Sequence, residues 1–203
     1  LKEHDNGITN FHFEIAADIM TQEEISLIGT LRPGLIRLEI GVQTTNTETL
    51  GAICRRMDFK KVSGAVKQLL AKKNMLLHLD LIAGLPKEDF LSFQNSFNEV
   101  YALHPDELQL GFLKVLKGTP IETEAEKGTI RCWTTPPYEV LSTDWLSFDK
   151  LLILKAVEEM VELYYNSGQF SNTIAFLEGY FETPFALYEA LAEHYRQKGY
   201  GPG

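Results

Sequence analysis

Along the first 120 residues, apolar positions recur with two different spacings. Four segments alternate apolar with polar residues, which is typical of strands that bury one face: 8–17, 34–44, 75–85 and 106–116. The segments between them carry apolar residues three and four positions apart, which predicts amphipathic helices over 21–31, 46–53, 59–74 and 87–103. Thr21 followed by Glu24 forms a capping box at the start of the first helix.

This alternation of strand and helix, with about 30–35 residues per unit, indicates parallel strands joined by right-handed crossovers. An open doubly wound sheet and a barrel both satisfy the pattern. An antiparallel sheet with one wet face is a weaker alternative, because the strands are separated by helices. We therefore predict an α/β fold for the first part of the chain.

The pattern changes after residue 121. Residues 134–144 form a proline-containing connection, and three helical patterns follow over 145–168, 170–181 and 183–199. Pro184 suits an early helical position, and Gly199 is a helix stop. We predict three regions: the α/β part over 1–121, a linker over 122–144 and a helical C-terminal region over 145–203.

Composition narrows the class of protein. The chain has 203 residues, a net charge of −9 and no cluster of basic residues, which argues against a nucleic-acid-binding surface. No apolar run is long enough to cross a membrane. The two cysteines, Cys54 and Cys132, have no metal-binding spacing, and we expect a reducing, cytoplasmic environment. The chain opens with Leu1 and a segment typical of a helix end, so we expect it to be part of a longer protein.

Each predicted strand carries polar residues on the face opposite its apolar residues. In residues 77–84, His78 and Asp80 oppose leucines, and in residues 36–43, Arg37 and Glu39 do the same. Isolated buried charges are costly, so these groups must pair, meet water or meet a ligand. An internal ion network, with Arg37 beside Glu39 or Glu14, is one interpretation. For all four strands together, a ligand-facing surface is the better one.

Several other chemistries find little support in the residues. The chain has no G-x-G-x-x-G or Walker loop and no serine in a nucleophile elbow, and its five histidines show no metal-ligand spacing. Glu14 and Asp80 remain a candidate pair of carboxylates for acid–base work. Cys54 lies beside Arg55 and Arg56, which would lower the pKa of a thiol, so a catalytic thiol is a further alternative.

Taken in order, four segments carry a family resemblance. "FEIAAD", "RLEIGVQTTNTETLGAICRR", "HLDLIAGLPKED" and "ELQLGFLKVLKGTPI" resemble the later strands of a radical S-adenosylmethionine (SAM) enzyme. The pattern is similar to the oxygen-independent coproporphyrinogen dehydrogenase type and to radical SAM proteins with an upstream cobalamin-binding domain. The similarity covers about residues 8–121, and the C-terminal helices resemble the appended region of a poorly characterised branch of the cobalamin group.

The resemblance implies a partial (β/α)6 barrel with about four parallel strands, followed by a helical appendage. It also implies a set of SAM contacts. Glu14 corresponds to the acidic contact to the ribose hydroxyls, and Gln43 and Asp80 to polar contacts in the same pocket. Arg55 corresponds to the residue that meets the methionine carboxylate, with Arg56 as the alternative. Ile82 corresponds to the apolar residue on adenine, whose edge meets backbone of residues 113–115.

The chain departs from the family pattern in two places. The three-cysteine loop that holds the 4Fe–4S cluster is absent, as are the first barrel strands and the glycine-rich site for the methionine amine. Lys87 stands where the family often has a second glycine after Gly84, although Glu88 is in place. The resemblance therefore implies that the 4Fe–4S cluster, and cobalamin if it is used, belong to a longer parent enzyme.

Three hypotheses follow. The first is the C-terminal part of a radical SAM enzyme that contributes part of the SAM and substrate pocket and works with upstream domains of its parent protein. The second is a complete, non-catalytic α/β binding or interaction module. The third is an acid–base enzyme that uses Glu14 and Asp80. In each case a half-barrel exposes the edges of its outer strands, so we expect a homodimer or coverage by the helical tail.

Overall fold

A four-stranded parallel sheet forms the centre of the molecule. In the computed structural model, which describes residues 1–200, the strands lie side by side in chain order. They are β1 (Phe11–Glu14), β2 (Ile36–Gln43), β3 (Leu76–Ala83) and β4 (Glu107–Phe112). A doubly wound sheet reverses its strand order at a switch point, and this sheet does not, so its order is that of a barrel segment. The predicted α/β class and the four parallel strands are confirmed.

The crossover helices begin where the sequence provides caps. They are α1 (Gln22–Ile28), α2 (Thr47–Ala52), α3 (Phe59–Leu70) and α4 (Phe90–Tyr101). The capping box of Thr21 and Glu24 is present, and the side chains of Asn46, Asp58 and Asp89 accept hydrogen bonds from the first turns of α2, α3 and α4. These helices end up to four residues earlier than the periodicity predicts, because the last turns unwind into loops.

The helices bury one face of β2, β3 and β4, whereas no residue of β1 is buried. In β3, Leu77, Leu79 and Leu81 are fully buried, and in β2, Leu38 and Ile40 are nearly so. Burying one such side chain stabilises the fold by about 1.5–3 kcal/mol, so these residues fix both the strand positions and the register. The opposite, concave face of the sheet holds the polar residues that the alternation predicts.

The segment predicted to be a linker contains regular structure. Helix α5 (Pro120–Glu126) is followed by two antiparallel strands, β5 (Ile130–Cys132) and β6 (Val140–Thr143). The Val140 N–H donates to the Leu113 carbonyl at 2.8 Å, and the Val115 N–H donates to the Tyr138 carbonyl at 2.9 Å. These bonds attach the hairpin directly to the end of β4. The three-region division of the chain stays a prediction.

The C-terminal helices pack on the same core as the sheet. They are α6 (Phe148–Val161), which continues as a π-helical turn to Asn166, α7 (Ser171–Leu177) and α8 (Pro184–Lys198). The ring of Phe97 in α4 meets Phe185 of α8 edge-on at 5.5 Å, and the hydroxyl of Tyr101 donates to Glu178 Oε1 at 2.5 Å. The described part of the chain contains no helix with the length and hydrophobicity of a membrane span.

The tail also covers one edge of the sheet. Asn166 Oδ1 accepts from the Leu108 N–H at 2.9 Å, and Asn166 Nδ2 donates to the Leu108 carbonyl at 3.0 Å. A side-chain amide thus takes the place of a neighbouring strand on β4, which is one of the two outcomes expected for the edges. On the other side, the outer edge of β1 pairs with no strand within residues 1–200. A homodimer through that edge stays a prediction.

We expect Asn166→Ala to destabilise the fold, because Leu108 is fully buried and would lose both backbone partners. Leaving a buried backbone group unpaired costs about 1–3 kcal/mol. Urea unfolding of the variant should show this loss, and light scattering should show increased self-association through the uncovered edge. Asn172→Ala, at an exposed position of α7, is the matched control. Equal stability of the two variants would contradict the role given to Asn166.

Candidate functional site

A β-bulge shapes the carboxyl end of β2. Gly41 pairs with Asp80 and Gln43 with Leu81, so Val42 is an extra residue without its own partner. Gln43 has a φ of +70°, the left-handed region that residues other than glycine rarely adopt. Bulges of this kind redirect a side chain at the rim of a barrel. Strained backbone is concentrated at functional sites, so this end of β2 is a candidate site.

A cleft of about 350 Å³ lies at the carboxyl ends of β2, β3 and β4. Its lining comprises Gln43, Asp80, Leu81, Ile82, Gln109, Gly111, Phe112, Leu113 and Lys114. This end of the strands is where TIM barrels and related folds place their active sites. The cleft therefore brings together three of the residues predicted from the sequence, Gln43, Asp80 and Ile82, with the backbone of residues 113 and 114.

The other two predicted residues, Arg55 and Glu14, lie outside the lining of the cleft. Arg55 and Arg56 are both exposed, but one terminal nitrogen of the Arg55 guanidinium donates to the Gly41 carbonyl, beside Gln43. This contact favours Arg55 over Arg56 as the residue that faces the site. Glu14 is exposed at the end of β1, and within residues 1–200 it makes no hydrogen bond or salt bridge.

The structure does not bring Glu14 and Asp80 together as an acid–base pair. Strand β2 lies between their strands, and neighbouring strands are about 4.8 Å apart, so the two carboxylates are separated by a further strand width. Asp80 has a different neighbour. His78 Nε2 lies 3.0 Å from Asp80 Oδ1 on the same face of β3.

An ion network occupies the amino-terminal half of the concave face. Arg37 pairs with Glu107 of β4, and His12 Nε2 lies 2.9 Å from Glu39 Oε2. The network predicted as one alternative therefore exists, although Arg37 uses neither Glu39 nor Glu14. Toward the carboxyl ends of β2, β3 and β4, the polar side chains line the cleft instead.

A second polar cluster joins the loops that follow β2 and β3. The Thr44 hydroxyl donates to Glu88 Oε1 at 2.5 Å, and the Ser96 hydroxyl donates to the same oxygen at 3.2 Å. Asn46 Nδ2 donates to the Ser92 hydroxyl at 2.8 Å. We call Thr44, Asn46, Glu88, Ser92 and Ser96 the loop latch. It holds the end of β2, and with it Gln43, against the turn that follows β3.

Glu88 carries no countercharge in this cluster. It is 1% exposed, and its Oε2 atom has no hydrogen-bond partner. Burial raises the pKa of this carboxyl to about 7, although the hydrogen bonds from Thr44 and Ser96 act in the opposite direction. A group with this pKa is largely protonated in mildly acidic solution.

The turn between β3 and α4 keeps an unusual backbone path. Gly84 has a φ of +87°, and a Cβ atom there would lie 2.8 Å from Cγ1 of Val140 in the hairpin. Lys87 adopts a φ of +67°, the left-handed conformation that glycine favours.

Comparisons with known proteins were made for both the sequence and the fold. A family described as "Protein of unknown function (DUF4080)" matches residues 127–202. The oxygen-independent coproporphyrinogen III oxidase of Pseudomonas aeruginosa is 31% identical over 112 residues, which are 54% of this chain and 24% of that protein. The same enzyme of Salmonella typhimurium is 32% identical over 107 residues, 50% of this chain and 23% of that protein. The matches span about a quarter of these relatives.

Two solved structures share the fold. The radical SAM methyltransferase TsrM of Kitasatospora setae, with cobalamin and a [4Fe-4S] cluster bound, superposes with a TM-score of 0.54 at 14% identity, over 68% of this chain and 27% of that one. Elp3 of Methanocaldococcus infernus gives 0.50 at 23% identity, over 59% and 28%. These structures support the predicted α/β fold, and the sequence matches to coproporphyrinogen III oxidases support the predicted relationship to the C-terminal region of radical SAM enzymes.

Sequence reasoning missed three features of the site. The strand alternation placed His78 and Asp80 on one face but did not indicate that they contact each other. The side chain of Lys114 lines the cleft just beyond the end of β4, where no periodic signal exists. Glu88 was noted only as a family position, because its burial depends on Thr44 and Ser96, which are 44 and 8 residues away along the chain.

The raised pKa of Glu88 makes stability depend on pH. The folded pKa lies above the unfolded value of 4.5, so the folded state binds more protons, and stability falls as the pH rises through about 7. We expect the wild-type free energy of unfolding to decrease between pH 5 and pH 8 by up to roughly 3 kcal/mol from this group. Glu88→Gln should remove that part of the slope.

Urea unfolding at pH 5, 6, 7 and 8 measures this difference between the variant and the wild type. Glu48→Gln, at an exposed position of α2, is a matched control that should keep the wild-type slope. Parallel pH profiles for Glu88→Gln and the wild type would show that Glu88 titrates normally.

Proposed function

We propose that this chain supplies part of the SAM and substrate pocket of a radical SAM enzyme. The observation that carries the proposal is the convergence of Gln43, Asp80 and Ile82 in one cleft at the carboxyl ends of three parallel strands. These residues were assigned to SAM from the family resemblance alone, and the fold places all three in the same cleft. The similarity to coproporphyrinogen III oxidases over half of the chain adds independent support.

The chemistry of the cleft suits the parts of SAM. Carboxylate and amide oxygens accept hydrogen bonds from sugar hydroxyls, and Asp80 Oδ1 has no well-directed partner within the chain. Ile82 offers an apolar surface to a base, and the backbone of Leu113 and Lys114 borders it. Arg55 stands beside Gln43 with the planar donor group that a carboxylate prefers. Glu14 lies on β1, at the far side of the sheet, and we assign it to a contact with the ribose in the complete site.

The residues present do not fit a 4Fe–4S cluster. The cluster loop of this family needs three closely spaced cysteines, and the chain has two, at positions 54 and 132. Among residues 1–200, no group of three His, Cys, Asp or Glu side chains could hold a metal ion. We therefore assign the cluster to the parent protein and derive no chemical step from it. Cobalamin enters the proposal in the same way, for the parent protein only, on the likeness to TsrM.

The chain's own contribution is to bind and orient. When SAM is bound, it supplies the sulfonium group that this enzyme class cleaves or uses for methyl transfer. The bulge and the loop latch hold the backbone at Gln43, so this residue is positioned at the cleft before a ligand arrives. Preorganised polar groups of this kind reduce the entropy lost on binding. The hairpin of β5 and β6 packs Val140 against Gly84 and closes the turn beneath the cleft to water.

The alternative is a complete α/β module that binds a ligand or partner and catalyses no reaction. The observation that favours it is the cysteine content, because two distant cysteines give the chain no cluster of its own. Both functions share the cleft as binding site. They differ in whether the reading frame of the gene extends upstream into a three-cysteine loop.

Binding to an isolated part of a site is weak, so NMR titration is the suitable test. We expect S-adenosylhomocysteine at millimolar concentration to shift the amide signals of Gln43, Asp80, Ile82 and Leu113 in the ¹⁵N-labelled chain. Arg55→Gln should weaken this binding by about tenfold, because it removes a charge-assisted contact. The matched control is Arg56→Gln, which should stay within about twofold.

The outcome can contradict the proposal in two ways. Signal changes confined to residues outside the cleft, or no change at all, would exclude the cleft as part of a SAM site. Equal effects of Arg55→Gln and Arg56→Gln would show that the contact with Gly41 does not select the binding arginine.

A separate measurement tests the position of the cluster. We expect the chain, purified and reconstituted anaerobically with iron and sulfide, to retain no stoichiometric iron, because it lacks the three-cysteine loop. The measurements are iron and acid-labile sulfide per chain, together with the ultraviolet–visible spectrum. A coproporphyrinogen III oxidase reconstituted in parallel is the positive control. Four iron atoms per chain would overturn the assignment of the cluster to the parent protein.

A further inference from the structure

Three buried polar atoms without a well-directed partner lie close together on the concave face. They are Arg37 Nε, His78 Nε2 and Asp80 Oδ1, half of the six such atoms found among the described residues. His78 is 8% exposed, and the side chain of Asp80 is 16% exposed. Buried polar groups in folded proteins are normally satisfied, so this concentration points to a place that water or a ligand completes.

His78 and Asp80 are close but poorly aligned. The distance from Nε2 to Oδ1 is 3.0 Å, which suits an ion pair, yet the ring N–H does not point along the line to the oxygen. The two residues are i and i+2 on one strand, and this spacing holds the side chains parallel to each other rather than end to end. Asp80 therefore keeps the capacity to accept a hydrogen bond from a third group.

The charges around His78 come from three strands. Asp80 faces it from its own strand, and Glu39 and Arg37 face it from β2, with Arg37 Nη2 3.4 Å from Nδ1. From β4, Glu107 Oε2 lies 3.9 Å from Nδ1. The charged groups around His78 are therefore three carboxylates and one guanidinium. The close contact with Asp80 is the largest cause that raises the pKa of His78, and burial counteracts it in part.

The two residues differ in their access to the cleft. Asp80 is part of the cleft lining, whereas His78 lies one step deeper, between the cleft and the ion network of Arg37 and Glu107. A ligand in the cleft can therefore contact Asp80 directly. His78 can act on that ligand only through Asp80.

We propose that His78 is a positioning residue that holds the Asp80 carboxylate toward the cleft, where it accepts hydrogen bonds from the hydroxyl groups of a ligand. The ligand class is a neutral or cationic compound with vicinal hydroxyls, of which a ribonucleoside is one. This inference deepens the proposed function and rests on it for the cleft as a binding site. It assigns a role to a residue that the sequence placed only on a polar face.

The test is the pH dependence of ligand binding in variants of His78. The pKa of His78 is raised, so its ring is protonated at pH 5.5 and pairs with the Asp80 carboxylate, whereas more of it is neutral at pH 8. His78→Asn removes this cation, so the loss of carboxylate positioning should be larger at the lower pH. We expect the affinity for S-adenosylhomocysteine, measured by NMR titration, to fall by about tenfold at pH 5.5 and by less than about threefold at pH 8.

Two further variants separate positioning from folding. His78→Lys restores a cation and should restore the affinity at pH 5.5, which a purely structural defect would not allow. His194→Asn, at an exposed position of α8, should keep the wild-type profile. An equal loss of affinity at both pH values in His78→Asn, or profiles parallel to that of His194→Asn, would overturn the proposal.

A measurement without ligand keeps the inference separate from the proposed function. In the wild type, the His78 ring signals should titrate above the usual range for histidine, and in Asp80→Asn they should titrate lower. If S-adenosylhomocysteine binds nowhere in the cleft but this coupling is present, the proposed function fails and the pairing of His78 with Asp80 stands. An unchanged His78 titration in Asp80→Asn would remove the pairing itself.

Discussion

The arrangement of this molecule depends on one constraint: strands β2, β3 and β4 each bury one face under helices. Leu77, Leu79 and Leu81 fill that face in β3, and the other side of the same strand has apolar residues only at its two ends, Leu76 and Ile82. A parallel sheet that is covered on both faces reads as continuously apolar. The concave face here is polar on every strand, so the fold must compensate charge there or present it to a ligand.

The compensation is uneven along the strands. At the amino-terminal ends, Arg37, Glu107 and His12 form ion pairs with residues on other strands, although Arg37 Nε has no hydrogen-bond partner. At the carboxyl-terminal ends, Gln43 and Asp80 face the cleft. The transition occurs within two residues of β3, between His78 and Asp80. The same alternation that builds the core thus also separates a structural half of the concave face from a binding half.

The outer edges of the two outermost strands, β4 and β1, differ in how their backbone groups are covered. Strand β4 ends beside a hairpin and is capped by the side-chain amide of Asn166, so its edge is satisfied by residues that follow it in the chain. The outer edge of β1 has no such cover among residues 1–200. An unpaired edge is a template for further pairing.

Local periodicity was sufficient to predict the sheet, its crossovers and the polar identity of the concave face. Each of these depends on residues within one segment, such as the leucines of β3 or the capping box of Thr21 and Glu24. The α5 helix and the β5–β6 hairpin were not predicted, because β5 and β6 have only three and four residues and are stabilised by pairing with the end of β4. The bulge at Gln43 and the loop latch depend on contacts between distant segments, for which a single sequence carries no signal.

Two carboxyl groups near the cleft, those of Glu88 and Asp80, have different surroundings. Glu88 and Asp80 are eight residues apart, and both are largely buried. Glu88 receives hydroxyl groups but no cation, so burial dominates and its pKa rises to about 7. Asp80 instead has the imidazole of His78 3.0 Å away and lines the cleft. The fold therefore uses one carboxyl as a buried joint between two loops and places the other, with a basic neighbour, where a ligand can reach it.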